Sequence, residues 1–261
     1  MTDAARAIEQ EAADYSRQLA SEAAYYWERH QPRYRYLIEL LEDLRRRHRF
    51  ERILDVGMGF QTRLLGRLFP DSRIDCLGVG EDGRFRPARE FTFYPVDLND
   101  AADRESPPAP GPGQFDLIVF MEVLEHLYTS PETILRFLAS RLREGGIILL
   151  TTPNAAWLKN RIKLLCGKNP FELLKDDRKN LGHIREYTRK ELERALDAAG
   201  LKKLRFERRG LYRFNNPKDN FYSRLADWTH PSLRRTLVAV YQRPGVTSPA
   251  AAPPPPAPPR A

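Results

Sequence analysis

The chain has 261 residues, 41% hydrophobic and 30% charged, a balance that excludes wholesale disorder and suffices for a sizeable core. It contains no run of about 18 apolar residues, and residues 1–18 lack the apolar centre of a secretory leader, so the expectation is a cytoplasmic protein. The formal charge of +8 favours acidic partners such as nucleic acid, phosphorylated molecules or anionic lipid heads.

Residues 3–29 are rich in Ala and Glu at helical spacing and close on Tyr25, Tyr26 and Trp27, which suit packing or a lid over substrate. Residues 33–48 predict a second amphipathic helix. Leu37, Ile38, Leu41 and Leu44 form its apolar face, and Arg45–Arg47 end it where the helix dipole favours cations. These two helices make an N-terminal extension, residues 1–48, ahead of a main domain, residues 49–243. Arg52–Val56 is a short apolar strand, Thr62–Phe69 a helix, Arg73–Val79 a second strand and Phe91–Pro95 a third. The proline cluster Ser106–Gly113 reads as a surface loop. Phe115–Phe120 is a strong buried strand, and Pro131–Leu142 a helix with proline in its first turn. Gly145 and Gly146 break it, and Ile147–Thr151 is another buried strand. Thr188 and Glu191 form a capping box for a helix through Ala199, closed by Gly200. Leu201–Arg208 and Thr236–Gln242 are late strands, and residues 244–261 a disordered, proline-rich tail. Continuous apolar strands separated by helices predict a doubly wound α/β sheet, covered on both faces, with ligands at the carboxyl ends of its strands. Cys76 and Cys166 form no CxxC pair and are read as reduced thiols in or near the core, so neither a disulfide framework nor a metal centre is expected.

Four stretches carry chemistry. In the first, Ile53–Gln61, a strand ends in Asp55 and the chain turns on Gly57 and Gly59 into a helix. Glycines let a ligand approach backbone, and the helix start offers free N–H groups. An acid beside the first glycine suits a cation such as an amino-acid ammonium, although a plain tight turn would use the same glycines. The others are Phe115–Leu127, which contains EVLEHL, Leu142–Asn154, which ends in TTPN, and Gly182–Thr188, GHIREYT.

Together they resemble class I S-adenosylmethionine-dependent methyltransferases, in particular the ubiquinone-biosynthesis-type and glycan-cluster subgroup. The resemblance covers about residues 50–210 and implies a Rossmann-like seven-stranded, mostly parallel sheet whose last strand is antiparallel. It implies S-adenosylmethionine as cofactor, with Asp55 near the methionine amino group and Gly57 and Gly59 in the turn. Gln61 stands where a third glycine is usual and would narrow the cleft. Gly80 stands at the usual ribose-binding acid, so Glu81 is expected to serve, with Asp82 second. Asp97 and Leu98 match the pair that meets the adenine, and Met121 and Glu122 line the cleft near the transferred methyl. Plainer roles stand beside these: Asp97 as a turn former, Glu122 and His126 as a helical pair, His183 as a loop pin, Glu125 as a solvated acid.

A hydroxyl acceptor has a high pKa, so a nearby base helps, and His126 and His183 are the candidates. No Asn/Asp-Pro-Pro-aromatic motif follows the fourth strand, which argues against amino-group methylation of adenine or glutamine. Two insertions individualise the chain. Residues 155–181 mix Trp157, Leu158, Ile162, Leu164, Leu165 and Phe171 with Lys159, Arg161, Lys163 and Lys168, which suits a substrate lid, a peripheral membrane contact or a phosphate contact. Residues 214–235 bring Tyr222, Trp228 and His230. The reading is an O-methyltransferase acting on a small molecule or glycan. The alternatives are an RNA methyltransferase, favoured by charge, and a non-catalytic interaction module.

Overall fold

The computed structural model describes residues 6, 10, 22–81, 83–86, 90–102, 110, 113–173, 182–214 and 216–245. Most of residues 3–21, most of the Ser106–Gly113 loop, Asp82, residues 174–181 and residues 246–261 of the tail lie outside them, as do the side chains of Tyr25, Tyr26 and Trp27.

A helix α1, Glu22–Arg45, opens the described chain. Then follow β1 (Arg52–Val56), α2 (Phe60–Leu68), β2 (Arg73–Gly78), β3 (Phe93–Pro95), β4 (Phe115–Met121), α3 (Pro131–Arg141) and β5 (Leu142–Pro153). After these come α4 (Leu158–Leu165), α5 (Arg189–Ala198), β6 (Lys202–Arg209), α6 (Pro217–Trp228) and β7 (Thr236–Gln242). The strands form one seven-stranded sheet, ordered β3-β2-β1-β4-β5-β7-β6. All pairs are parallel except those of β7, which runs antiparallel to both β5 and β6.

Alternation along each strand divides the core in two. Ile53, Leu117, Leu149 and Val240 face one side, where α1 and α2 bury Tyr34, Leu37, Leu41, Leu64 and Leu65. Leu54, Ile118, Leu150 and Tyr241 face the other, against Ile134 and Leu138 of α3 and Leu192 and Leu196 of α5. Each fully buried leucine contributes about 2 kcal/mol of transfer free energy. The capping box of α5 is present, with Thr188 Oγ1 accepting from Glu191 N at 3.4 Å and Glu191 Oε2 accepting from Thr188 N at 2.8 Å.

Three expectations are corrected here. The extension is not divided near residue 30: α1 runs unbroken through Pro32, because the face begun at Tyr34 continues into the core and outweighs one lost backbone bond. Gly145 and Gly146 do not precede β5 but lie inside it, Gly145 at a φ of 75°. Gly146 meets the carbonyl oxygens of Arg143 and Phe115 so closely that a Cβ would stand 2.9 Å from each. Cys76 is buried in β2, whereas Cys166 is exposed at the end of α4. Among the described residues no helix is long and apolar enough to cross a membrane.

The strand order reverses direction between β1 and β4, and such a switch point opens a crevice at the carboxyl ends of the strands.

Candidate active site

The crevice begins at the turn after β1. Gly57 has a φ of 85°, and a Cβ there would meet Val123 Cγ2 at 2.9 Å, so both conformation and space call for glycine. Asp55 is fully buried behind this turn. One carboxylate oxygen accepts from the Thr62 hydroxyl, and the other, Oδ1, has no partner. Burial raises its pKa to about 7, against the opposing hydrogen bond of Thr62. The Gln61 side chain folds back over the turn, its Nε2 donating to Gly57 O at 2.7 Å.

Beside the turn lies a cavity of about 410 Å³. Val56 and Gly57 at the end of β1, Gly78 and Val79 at the end of β2, and Asp97 and Leu98 after β3 line one side. Val123, His126 and Leu127 close it from β4. Asp97 lines the cavity, and its Oδ1 accepts from Asn99 N at 2.9 Å, as a turn former would. Asn99 in turn accepts from Tyr128 N at 2.9 Å and Thr129 N at 3.1 Å, tying the β3 loop to the β4 loop. Glu81 does not line this cavity and is paired with Arg86 at 2.5 Å.

Met121 is buried at the end of β4, and Glu122 follows in the left-handed region at a φ of 54°. That conformation excludes the simple helical pair with His126, and a 3-10 turn, Leu124–His126, stands instead. Glu122 accepts from Thr151 Oγ1 at 2.8 Å and from the Tyr212 hydroxyl, with Arg33 at 4.0 Å. Arg33 Nη1 also donates to Tyr212 at 2.9 Å. Neither Met121 nor Glu122 lines the cavity of the β1 turn.

Glu125 is not solvated. It is fully buried, because its backbone carbonyl accepts from Ile184 N at 2.8 Å and Arg185 N at 3.2 Å and draws the Gly182–Arg185 segment over it. Its Oε2 accepts from Thr152 at 2.9 Å, while Oε1 has no partner. Burial, reinforced by Glu122, raises its pKa well above the carboxylate range.

The same segment brings the two histidines together, their rings edge to face at 5.1 Å. His126 Nδ1 lies 2.7 Å from Gly182 O. A carbonyl only accepts, so Nδ1 carries the proton and Nε2 keeps its lone pair. Burial lowers the His126 pKa and favours this neutral form. His183 Nδ1 lies 3.1 Å from Glu186 Oε1 and does pin its loop. His183 also lines a second cavity, of about 390 Å³, with Ala155, Phe171 and Glu172. Donor atoms of Glu125, His126 and His183 all lie within 4.8 Å of one another, an arrangement able to hold a divalent cation. A reading centred on cysteine ligands misses such a set.

Helices α4 and α6 pack together, and Lys159 pairs with Asp219 at 2.7 Å. Trp157 is buried and stacks on Phe214 at 6.1 Å, whereas Leu164, Leu165 and Trp228 are exposed. His230 accepts from Ser232 N at 3.1 Å. Tyr222, Trp228 and His230 line neither of the two histidine-lined cavities. Tyr212 and Arg33, by contrast, reach Glu122, and nothing in their local sequence marks them, since they arrive from segments about 90 residues away on either side.

A family model described as a methyltransferase domain matches residues 26–205. The chain belongs to this family. S-adenosylmethionine is the methyl donor that goes with it. Two solved structures show the same fold. The 1,6-didemethyltoxoflavin-N1-methyltransferase of Burkholderia thailandensis, solved with its substrate and S-adenosylhomocysteine, is 14% identical with a TM-score of 0.52 over 92% of this chain and 89% of that one. The cyclase SpnF is 18% identical with a TM-score of 0.51 over 81% of each chain. Comparison with curated proteins finds no match.

Proposed function

We propose that this methyltransferase transfers a methyl group to a hydroxyl of a small-molecule or glycan acceptor, delivered between its two histidine-lined cavities. The observation that carries the reading is the His126–His183 pair, in which each Nδ1 is engaged and each Nε2 is left for chemistry.

The cofactor supplies an electrophilic methyl on a sulfonium. The residues present fit it: the orphaned Asp55 oxygen awaits a cation, and Gly57 leaves room a side chain would fill. Asp55 would hold the ammonium end, Gly57 and Gly59 would allow close approach, and Asp97 and Leu98 would flank the adenine. His126, on the first cavity, and His183, on the second, would orient the acceptor hydroxyl, and one Nε2 would accept its proton. The preference for oxygen over nitrogen comes from this base pair, which an amine acceptor needs less.

A second reading of the same residues is favoured by the unpartnered oxygen of Glu125: the two Nε2 atoms and this carboxylate bind a divalent cation that lowers the acceptor pKa. Calorimetric titration with S-adenosylhomocysteine, followed by turnover of acceptors with and without Mn²⁺, separates the readings. His126→Ala and His183→Ala should each keep cofactor affinity within about threefold and lower kcat by about 100-fold or more. Turnover that survives in both variants would sink the role of the pair. Activity removed by a chelator and restored by Mn²⁺ would select the cation. Failure of a folded sample to bind S-adenosylhomocysteine would favour a non-catalytic module.

A further inference from the structure

A third cavity, of about 700 Å³, opens between α1, the segment after β6, and α6. Arg29, Arg213 and Arg224 line it, one from each element, with Tyr212 and Phe214 as an aromatic wall. The backbone fixes the segments that carry them: Arg213 N donates to Arg29 O at 3.1 Å, and Asn220 clamps the Phe214 backbone from both sides. Among the described residues none of the three arginines forms an ion pair, and Arg29 Nε is buried without a partner. One acid, Asp227, also lines the cavity, and it is engaged by Arg234 at 3.5 Å. Behind the wall, Arg235 lies over the Tyr212 ring at 4.3 Å and the Phe214 ring at 4.9 Å, and its Nη1 is also buried without a partner. The neighbourhood is cationic enough that His30, packed on Tyr212, is pushed down to about 2 by burial and by Arg33, Arg29 and Arg235.

Like charges gathered in a concave site repel, and an anion that joins them relieves the repulsion. Three guanidinium groups match a phosphoryl group, whose charge is about −1.5 to −2 and whose oxygens accept forked hydrogen bonds, better than a single carboxylate. The cavity is also coupled to the reaction site, since Tyr212 lines it and donates to Glu122 beside the buried Glu125. We propose that this cavity binds the phosphoryl group of the methyl acceptor, making the substrate a phosphorylated molecule. The word acceptor rests on the methyl-transfer reading; the anion site does not.

The test is calorimetric titration of the full chain with inorganic pyrophosphate, with S-adenosylhomocysteine titrated separately into the same preparations. Arg213→Gln and Arg224→Gln, both at exposed positions, should each weaken pyrophosphate by about tenfold or more and leave S-adenosylhomocysteine affinity and thermal stability unchanged. Arg136→Gln, an exposed arginine of α3, is the control for net charge and should change nothing. No binding by the parent protein, or equal weakening in the control, would overturn the proposal. So would binding of a single-stranded oligonucleotide without binding of pyrophosphate. Vesicles containing phosphatidic acid, retained in the same Arg213-dependent way, would place the phosphoryl group on a lipid; pyrophosphate binding without vesicle retention would place it on a soluble acceptor. Loss of S-adenosylhomocysteine binding by the parent protein with pyrophosphate binding intact would fail the methyl-transfer reading and leave the anion site standing.

Discussion

The sheet buries carboxylates at both ends, and they are treated differently. In the lower half, Asp75 accepts from Arg73 Nε at 2.9 Å, Thr92 N at 2.8 Å and Arg52 Nη2 at 2.8 Å. Asp116, at the start of β4, accepts from Glu51 N at 2.5 Å and Arg52 N at 2.7 Å, and its other oxygen pairs with Arg143. At the carboxyl rim Asp55 and Glu125 are as deeply buried, yet each keeps one oxygen unpartnered. An unmet buried acceptor costs about 1–3 kcal/mol. The lower acids lock strands together, whereas the upper ones are left with acceptor capacity that the described residues do not fill.

The sharpest way to break this contrast is a matched pair of substitutions. Asp55→Asn should weaken S-adenosylhomocysteine by about 100-fold or more while leaving stability equal or higher, because it removes a counter-charge that no protein cation balances. Asp116→Asn should do the reverse, costing about 3 kcal/mol in urea denaturation with affinity nearly unchanged. If Asp55→Asn binds normally, the placement of the cofactor at the first turn is wrong.

Acidity sharpens the comparison further. The folded pKa of Asp55, about 7, lies above that of an unfolded aspartate. The native state therefore binds a proton more firmly, and this contribution to stability is present at low pH and fades as pH rises towards 7. Cofactor affinity should move oppositely, tightening as pH rises through the same range, since an ammonium needs the ionised acid. Comparing the parent protein with Asp55→Asn isolates the effect, and identical pH profiles would exclude Asp55 as its source. The smallest expected change is at Gln61: Gln61→Gly should uncover the turn and tighten cofactor about threefold, at about 1 kcal/mol of helix stability.

The strands were legible because continuous apolar runs and glycine punctuation are local signals; β1 and β7 fall on the expected residues. The Gly57 turn was legible for the same reason, Asp97 and Leu98 were reached only through the family resemblance, and the contact between His126 and His183 was not foreseen. Glu125 was misjudged because its burial depends on Gly182–Arg185, nearly 60 residues later, folding over its carbonyl. The helical spacing of Glu122 and His126 misled because a left-handed residue intervenes, and no neighbouring residue announces it. Arg29, Arg33, Tyr212 and Arg213 left no trace because their chemistry comes from meeting across the chain.

The position of β7 also shapes how the molecule is made. It is the last strand among the described residues, yet it sits between β5 and β6 and pairs with Ile147–Pro153 of the one and Lys202–Arg209 of the other. Until Thr236–Gln242 has been synthesised, β5 has one bare edge and β6 has no neighbour at all. The domain therefore cannot finish its sheet progressively from the amino end. It must keep a hydrophobic edge, Ile147–Leu150, from pairing elsewhere until the final strand arrives, which makes nascent or truncated chains the aggregation-prone form of this protein.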